Sequence, residues 1–203
     1  MNTMPLAPEA VDRERGSGLL YPPGGLMVWI FVLLEGLTFG AGLVALALQA
    51  AAQPDLHRRS QALLSVPLAT ANTLLLVTSG LLAALAVHAF EEGAFARASR
   101  QLGLAGGLGA VFCALKLVEY HGKLAAGLGP GAGAFFSFYW GLTGFHFLHV
   151  ALGTAVLLFL ARRVRSGAPF TEPDLSLTTG VVFWHMCDLI WVLVFPMVYL
   201  IHA

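Results

Sequence analysis

Apolar residues in this chain gather into five long runs separated by short connections. They lie at roughly Leu26–Ala51, Ala62–Phe90, Leu102–His121, Phe135–Ala161 and Leu175–His202. A helix needs about 20 apolar residues to cross a bilayer, and each run supplies that length. The segment Gly127-Leu-Gly-Pro-Gly-Ala-Gly133 is a non-helical turn between two of them. No tandem repeat occurs, and five spans do not divide into two equal inverted halves. The pattern predicts an all-α integral membrane bundle of five transmembrane helices over residues 25–203. Residues 1–24 form a polar arm punctuated by Pro and Gly, ending in the Pro22-Pro23-Gly24-Gly25 break. The arm has no apolar centre, so it is expected to be a flexible tail and not a cleaved signal peptide.

Composition strengthens this. Of 203 residues, 58% are hydrophobic and 11% charged, whereas a soluble domain carries about 25% charged residues. A water-soluble domain with an ordinary charged surface is excluded. Formal net charge is zero, so no basic face for nucleic acid exists. Cys113 and Cys187 sit inside apolar runs, as buried free thiols would. Lys and Arg set the orientation. Arg13, Arg15, Arg97, Arg100, Arg162, Arg163 and Arg165 fall on one side, against Arg58, Arg59 and Lys123 on the other. That balance predicts a cytoplasmic N-terminus and a periplasmic C-terminus, and the basic N-terminal side with no cleavable transit peptide leads us to expect the inner membrane of a bacterium.

Ionisable residues in the middle of a bilayer cost roughly 2.5–3.5 kcal/mol each on insertion scales. Glu35, His146, His149, His185 and Asp188 all fall near the centres of their spans. At a rise of about 1.5 Å per residue they share nearly one depth, so they are expected to form a mid-membrane network facing the bundle interior. His146 and His149 are three apart, as are His185 and Asp188, so each pair shares a helix face. Lys116 and Glu119 have the same spacing near the outer end of the third span, which predicts an intrahelical ion pair. Asn72, Thr73, Thr78 and Ser79 form a polar stripe suited to interhelical hydrogen bonds. Gly36-xxx-Gly40 and Gly103-xxx-Gly107 match the small-residue pattern of close helix packing. Trp29, Trp140 and Tyr199 read as interfacial anchors, Trp184 and Trp191 as packing residues.

Glu35 has two readings, a carboxyl satisfied by a neighbour or a proton-handling group. The histidines are either structural hydrogen-bonding groups or ligands of haem or metal. No Glu-x-x-His carboxylate motif accompanies them, and no metal site is expected. No nucleophile elbow, P-loop or dinucleotide fingerprint is present, so no catalytic residues are assigned.

Four stretches in order resemble subunit III of the haem-copper oxidase superfamily. Trp29-Ile-Phe-Val-Leu-Leu-Glu35 with Thr38-Phe39-Gly40 is similar to the helix bearing the family's intramembrane glutamate. Pro67 to Thr73, Ser79-Gly80 and His88 to Gly93 follow. Glu119-Tyr120 then leads to Phe135-Phe136 and Thr143-Gly-Phe-His146-Phe-Leu-His149-Val150. Last comes Trp184-His185-Met-Cys-Asp188-Leu-Ile-Trp191, similar to the family's Trp-His-x-x-Asp-x-x-Trp. The resemblance implies a non-catalytic subunit of an oxidoreductase complex of the respiratory chain. It implies that the chain itself binds no haem or metal and that haem and copper or iron reside in a partner, the catalytic subunit I. The chain would pack against that partner, hold structural phospholipid, and support stability and proton uptake during electron transport. Glu35 matches the glutamate associated with that support.

Mitochondrial-type members have seven helices, and this chain matches the later five. Five-helix forms occur in bacterial quinol oxidases and in the subunit-III-like accessory protein of nitric oxide reductases. Lys116 ahead of Glu119-Tyr120, Lys123 to Gly127, and Asn72 to Ser79 lean toward the latter branch. An autonomous proton channel or transporter is a further reading, requiring a polar stripe that runs from Glu35 to both surfaces.

Overall fold

The computed structural model describes residues 25–167 and 176–201. The helices among them are α1 (Leu26–Ala52), α2 (Pro54–Gln61), α3 (Val66–Glu91), α4 (Phe95–Ala125), α5 (Ala134–Ser166) and α6 (Leu177–Tyr199). All but α2 are long and apolar enough to cross a membrane, and no strand occurs among the described residues. The arm at 1–24 and the expected outer ends of the last span, Leu175 and His202, lie outside the described residues.

Helix ends overrun the apolar runs. α4 begins at Phe95 instead of Leu102, and α5 continues past Ala161 to Ser166. The added turns hold Arg97, Arg100, Arg162, Arg163 and Arg165. Arginine is a good helix former, and its stem can lie along apolar surface while its head reaches water. Apolarity therefore stops before helical hydrogen bonding does. Glycines close both helices in left-handed conformation, Gly127 at φ 74° after α4 and Gly167 at φ 67° after α5.

The connection between the first two spans is itself structured. Pro54 opens α2, Asp55 lies in its first turn, and Arg58 and Arg59 in its last, which suits both the proline preference and the helix dipole. His57, Ser60 and Gln61 are buried. His57 meets the Phe135 ring edge-on at 4.9 Å, and Gln61 Nε2 donates to the Val198 carbonyl at 3.0 Å. A helix this short is marginal alone in water. Here it lies across one end of the bundle, tied to α5 and α6.

Inside the membrane the core is built from small residues and large rings. α4 packs against α3 on one side and α5 on the other, and α6 closes onto α3 and α5. Ala69, Ala83, Ala86, Ala98 and Ala105 are almost fully buried and bring the α3 and α4 backbones close. Lipid tails are as apolar as leucine, so association here rests on close contact and hydrogen bonds. Ser79 donates to the Ala105 carbonyl and Ser99 to the Ala161 carbonyl, both at 2.8 Å. Trp191 Nε1 donates to Thr73 Oγ1 at 2.9 Å. Each such bond contributes about 0.6–2 kcal/mol. Of the expected polar stripe, Thr73 and Ser79 thus join helices, Asn72 is buried without a hydrogen-bond partner, and Thr78 is exposed.

The close approaches occur at glycines other than the paired ones. A Cβ on Gly109 would stand 2.4 Å from Thr154 Oγ1, and one on Gly153 would stand 2.7 Å from the Trp184 ring. Trp184 fills the space between these two glycines and is completely buried. Gly36, Gly40, Gly103 and Gly107 have nothing within 4 Å of a Cβ position. The small-residue pattern therefore marks outward faces in this chain, because spacing fixes a face without saying what that face meets. α1 is the most open helix, with Phe39, Leu46 and Ala50 its buried residues. It packs on α2, α5 and α6.

Candidate functional site

The intramembrane ionisable residues resolve into three pairs and one separate histidine. The first pair joins α1 to α5. Glu35 Oε1 lies 3.5 Å from His149 Nε2, both side chains being nearly buried. His149 Nδ1 sits 2.9 Å from the Phe145 carbonyl. A carbonyl only accepts, so Nδ1 carries hydrogen and donates to it. In a neutral ring this makes Nε2 an acceptor, facing a carboxylate that also only accepts. The contact is attractive when one further proton is present, on the carboxyl or on the ring. Around them stand phenylalanines with no hydrogen-bonding groups. Ring centroids of Phe31, Phe39, Phe145 and Phe183 lie 6.2, 6.1, 4.6 and 6.3 Å from that of His149. Glu35 Oε2 is buried with no hydrogen-bond partner.

The second pair lies where α6 meets α3. His185 Nδ1 is 3.3 Å from Asp188 Oδ2, and both groups rest over Gly80, where a Cβ would come within 2.1 Å of Asp188 Oδ2. The absence of a side chain at Gly80 makes room for the carboxylate. The His185 side chain is 45% exposed and that of Asp188 13%. His146 belongs to neither pair. It is fully buried, stacks on Trp191 with centroids 5.0 Å apart, and neither ring nitrogen has a hydrogen-bond partner. Equal depth along helices fixes height but leaves rotation about each axis open, which is how five residues at one level fall into separate places.

The third pair is sealed. Lys116 Nζ lies 3.0 Å from Glu119 Oε2, with side chains 1% and 2% exposed. Lys116 also donates to Tyr199 Oη at 2.6 Å, and Glu119 Oε1 accepts from Tyr139 and Tyr199, each at 2.9 Å. Rings of Tyr120, Tyr139, Trp191 and Tyr199 surround the ammonium at 5.1–5.2 Å from their centroids, at the distance of cation–π attraction. Tyr120 donates onward to Thr143 Oγ1 at 3.0 Å. Tyr199 is thus a buried member of this cage and not an interfacial anchor, since its hydroxyl is needed by Lys116 and Glu119. The tyrosines come from α4, α5 and α6, so spacing within one helix does not reveal them. Phe145 is within reach of sequence reasoning, because it stands one turn before His149.

Among the described residues, no three His, Cys, Asp or Glu side chains gather in reach of one metal ion. Residues 28–202 match the family model described as cytochrome c oxidase subunit III. The chain belongs to the cytochrome c oxidase subunit III family. Subunit 3 of the cytochrome bo(3) ubiquinol oxidase of Pseudomonas aeruginosa is 32% identical over 138 residues, covering 68% of this chain and 66% of that protein. Cytochrome c oxidase subunit 3 of a Bacillus species, strain PS3, is 28% identical over 200 residues, 98% of this chain and 93% of its own length. A haem-copper oxidase subunit I+III of Aeropyrum pernix is 33% identical over 136 residues, covering 64% of this chain and 16% of that protein. All three carry oxidase names, and none of them carries that of a nitric oxide reductase. The match takes in all of α1 but its first two residues and the whole of the other helices, and so both halves of the Glu35–His149 pair.

Proposed function

We propose that this chain is the non-catalytic subunit III of a respiratory haem-copper oxidase. It packs against the catalytic subunit I, which holds the haem and copper, and it supports the stability and proton uptake of that partner. The observation that carries this is the family match across all five membrane-spanning helices. The relative named subunit I+III makes a close association of the two subunits a natural expectation. The His185–Asp188 pair adds a physical reason. Hydrocarbon tails cannot hydrogen-bond, so a half-exposed imidazole near the middle of α6 requires a polar partner there. Asp188 Oδ1 is buried without a hydrogen-bond partner, so the group that turns outward is the His185 imidazole.

Glu35 with His149 is the group we assign to proton support, and Lys116 with Glu119 to structure. Phospholipid fills apolar faces that the partner leaves open. The Arg-rich bundle end, with Arg97, Arg100, Arg162, Arg163 and Arg165, faces the cytoplasm of a bacterial inner membrane.

Affinity capture of the tagged chain from its native membrane in mild detergent, with a visible spectrum of the eluate, tests the reading. A larger haem-bearing subunit is expected to co-elute. Elution of the chain alone, whether colourless or carrying its own haem, would overturn it.

A further inference from the structure

A crevice of about 300 Å³ runs between α1, α5 and α6, toward the arginine-bearing end of the bundle. On α1 its wall is Val28 and Phe31, and the next position on that face is Glu35. On α5 its wall is Leu160, Val156 and Leu152, and the next position on that face is His149. Steps of three and four residues keep to one helix face, so the crevice and the Glu35–His149 pair share a single groove. Its mouth lies at Ser176, which caps α6, and at Thr179 in the first turn of that helix. Backbone N–H groups there lack helical partners and take water. The gap exists because α1 stands off from the bundle at this end. No residue of α1 before Phe39 is buried.

One layer of aromatic carbon separates the crevice from the pair. Phe31 and Phe183 line the inner end of the crevice, with ring centroids 5.9 Å apart. The same two rings lie 6.2 and 6.3 Å from that of His149. One turn further in, Phe39 and Phe145 stack on each other at 5.4 Å, so the groove closes beyond the pair. It is an inlet from one surface and not a channel through the bundle. At roughly 30 Å³ per water, the crevice has room for about ten, and an apolar constriction admits or excludes water by wetting and drying. We propose that this crevice is the route by which protons reach the Glu35–His149 pair, with Phe31 and Phe183 as its gate. When the two rings part, a hydrated proton enters, binds the carboxylate or the imidazole, and leaves its water behind. No electron moves. This route rests on the reading of Glu35 and His149 as the proton-supporting pair. It adds the side from which protons come and the two residues that control their entry.

The test uses the full chain with isotope-labelled histidine in phosphatidylcholine nanodiscs, transferred to heavy water and followed by nuclear magnetic resonance. The readout is the exchange rate of the His149 Nδ1 proton, assigned by its loss in His149→Gln. Phe183→Ala opens the gate and is expected to speed exchange about tenfold, and Val156→Trp fills the crevice and is expected to slow it about tenfold. Leu148→Trp, at a position beside His149 that is 62% exposed, is expected to leave the rate unchanged. A rate that either crevice variant leaves unmoved, or that Leu148→Trp slows equally, would overturn the proposal. Should Val156→Trp misfold, Val156→Cys in the Cys113→Ala/Cys187→Ala chain takes its place. A charged thiol reagent is expected to modify that cysteine at least about tenfold faster than Leu148→Cys, because the reacting species is a thiolate in water. Equal modification would mean that hydrocarbon fills the crevice, and would overturn the route. All these readouts come from the chain alone. Their failure leaves the oxidase assignment intact, whereas an assembled oxidase indifferent to Glu35→Gln would leave the exchange results standing.

Discussion

Two ionic pairs in this bundle are each enclosed by four aromatic rings, yet the cages are chemically opposite. Around Lys116 and Glu119 the rings are three tyrosines and a tryptophan, and the hydroxyls of Tyr139 and Tyr199 bond directly to the ions. Around His149 they are four phenylalanines, and Glu35 is left with an oxygen that bonds to nothing. The first cage satisfies its charges and spans α4, α5 and α6. The second isolates a carboxyl and an imidazole 3.5 Å apart, at the seam of the least buried helix. A fully bonded cluster has no spare capacity to accept or pass a proton, whereas an under-bonded pair has little else to do. On the reading proposed here the first pair is a structural lock and the second the proton-supporting group, and they differ in their bonding partners although both are nearly buried.

The largest effect is expected where the lock is broken on one side. Lys116→Met leaves Glu119 buried without its cation and should cost about 3–5 kcal/mol, read as a lower midpoint of thermal unfolding in detergent. The double variant Lys116→Met/Glu119→Met should recover most of that loss. A single variant as stable as wild type would dissolve the distinction between the cages. Next comes Gly80→Val, which drives a side chain into Asp188 and should destabilise the isolated chain by about 1–3 kcal/mol. Asp188→Asn keeps the shape and half of the hydrogen bonding. The chain's own stability should stay within about 1 kcal/mol of wild type, consistent with a modest intramembrane hydrogen bond. Its co-purification with the catalytic partner should nevertheless fall severalfold, measured by quantitative mass spectrometry of the captured complex. Smallest in stability is Glu35→Gln, expected within about 1 kcal/mol because the carboxyl makes a single long contact. A large loss there would make Glu35 a structural residue like Glu119.

The five spans were legible because an apolar run of bilayer length has almost no place in a water-soluble chain. Their ends were not, since arginine turns continue the helix where hydropathy stops. α2 escaped notice because the residues it buries, His57, Ser60 and Gln61, are polar, although their spacing of three and four is that of a helix face. The spacing of Lys116 and Glu119 placed them on one face, but the tyrosines that complete their cage lie 20 and 80 residues away in sequence. Depth alone grouped Glu35, His146, His149, His185 and Asp188, whereas rotation about each helix axis decides which of them meet. His146 turns to Trp191, His149 to Glu35, and Asp188 to the gap at Gly80.

The most direct measurement follows the assembled oxidase carrying Glu35→Gln through sustained turnover, recording activity against time and proton uptake in reconstituted vesicles. The complex should assemble in normal yield and start at the wild-type rate, then lose activity sooner and take up protons more slowly. Decay and proton uptake indistinguishable from wild type would contradict the assignment of Glu35 and His149 as the proton-supporting pair.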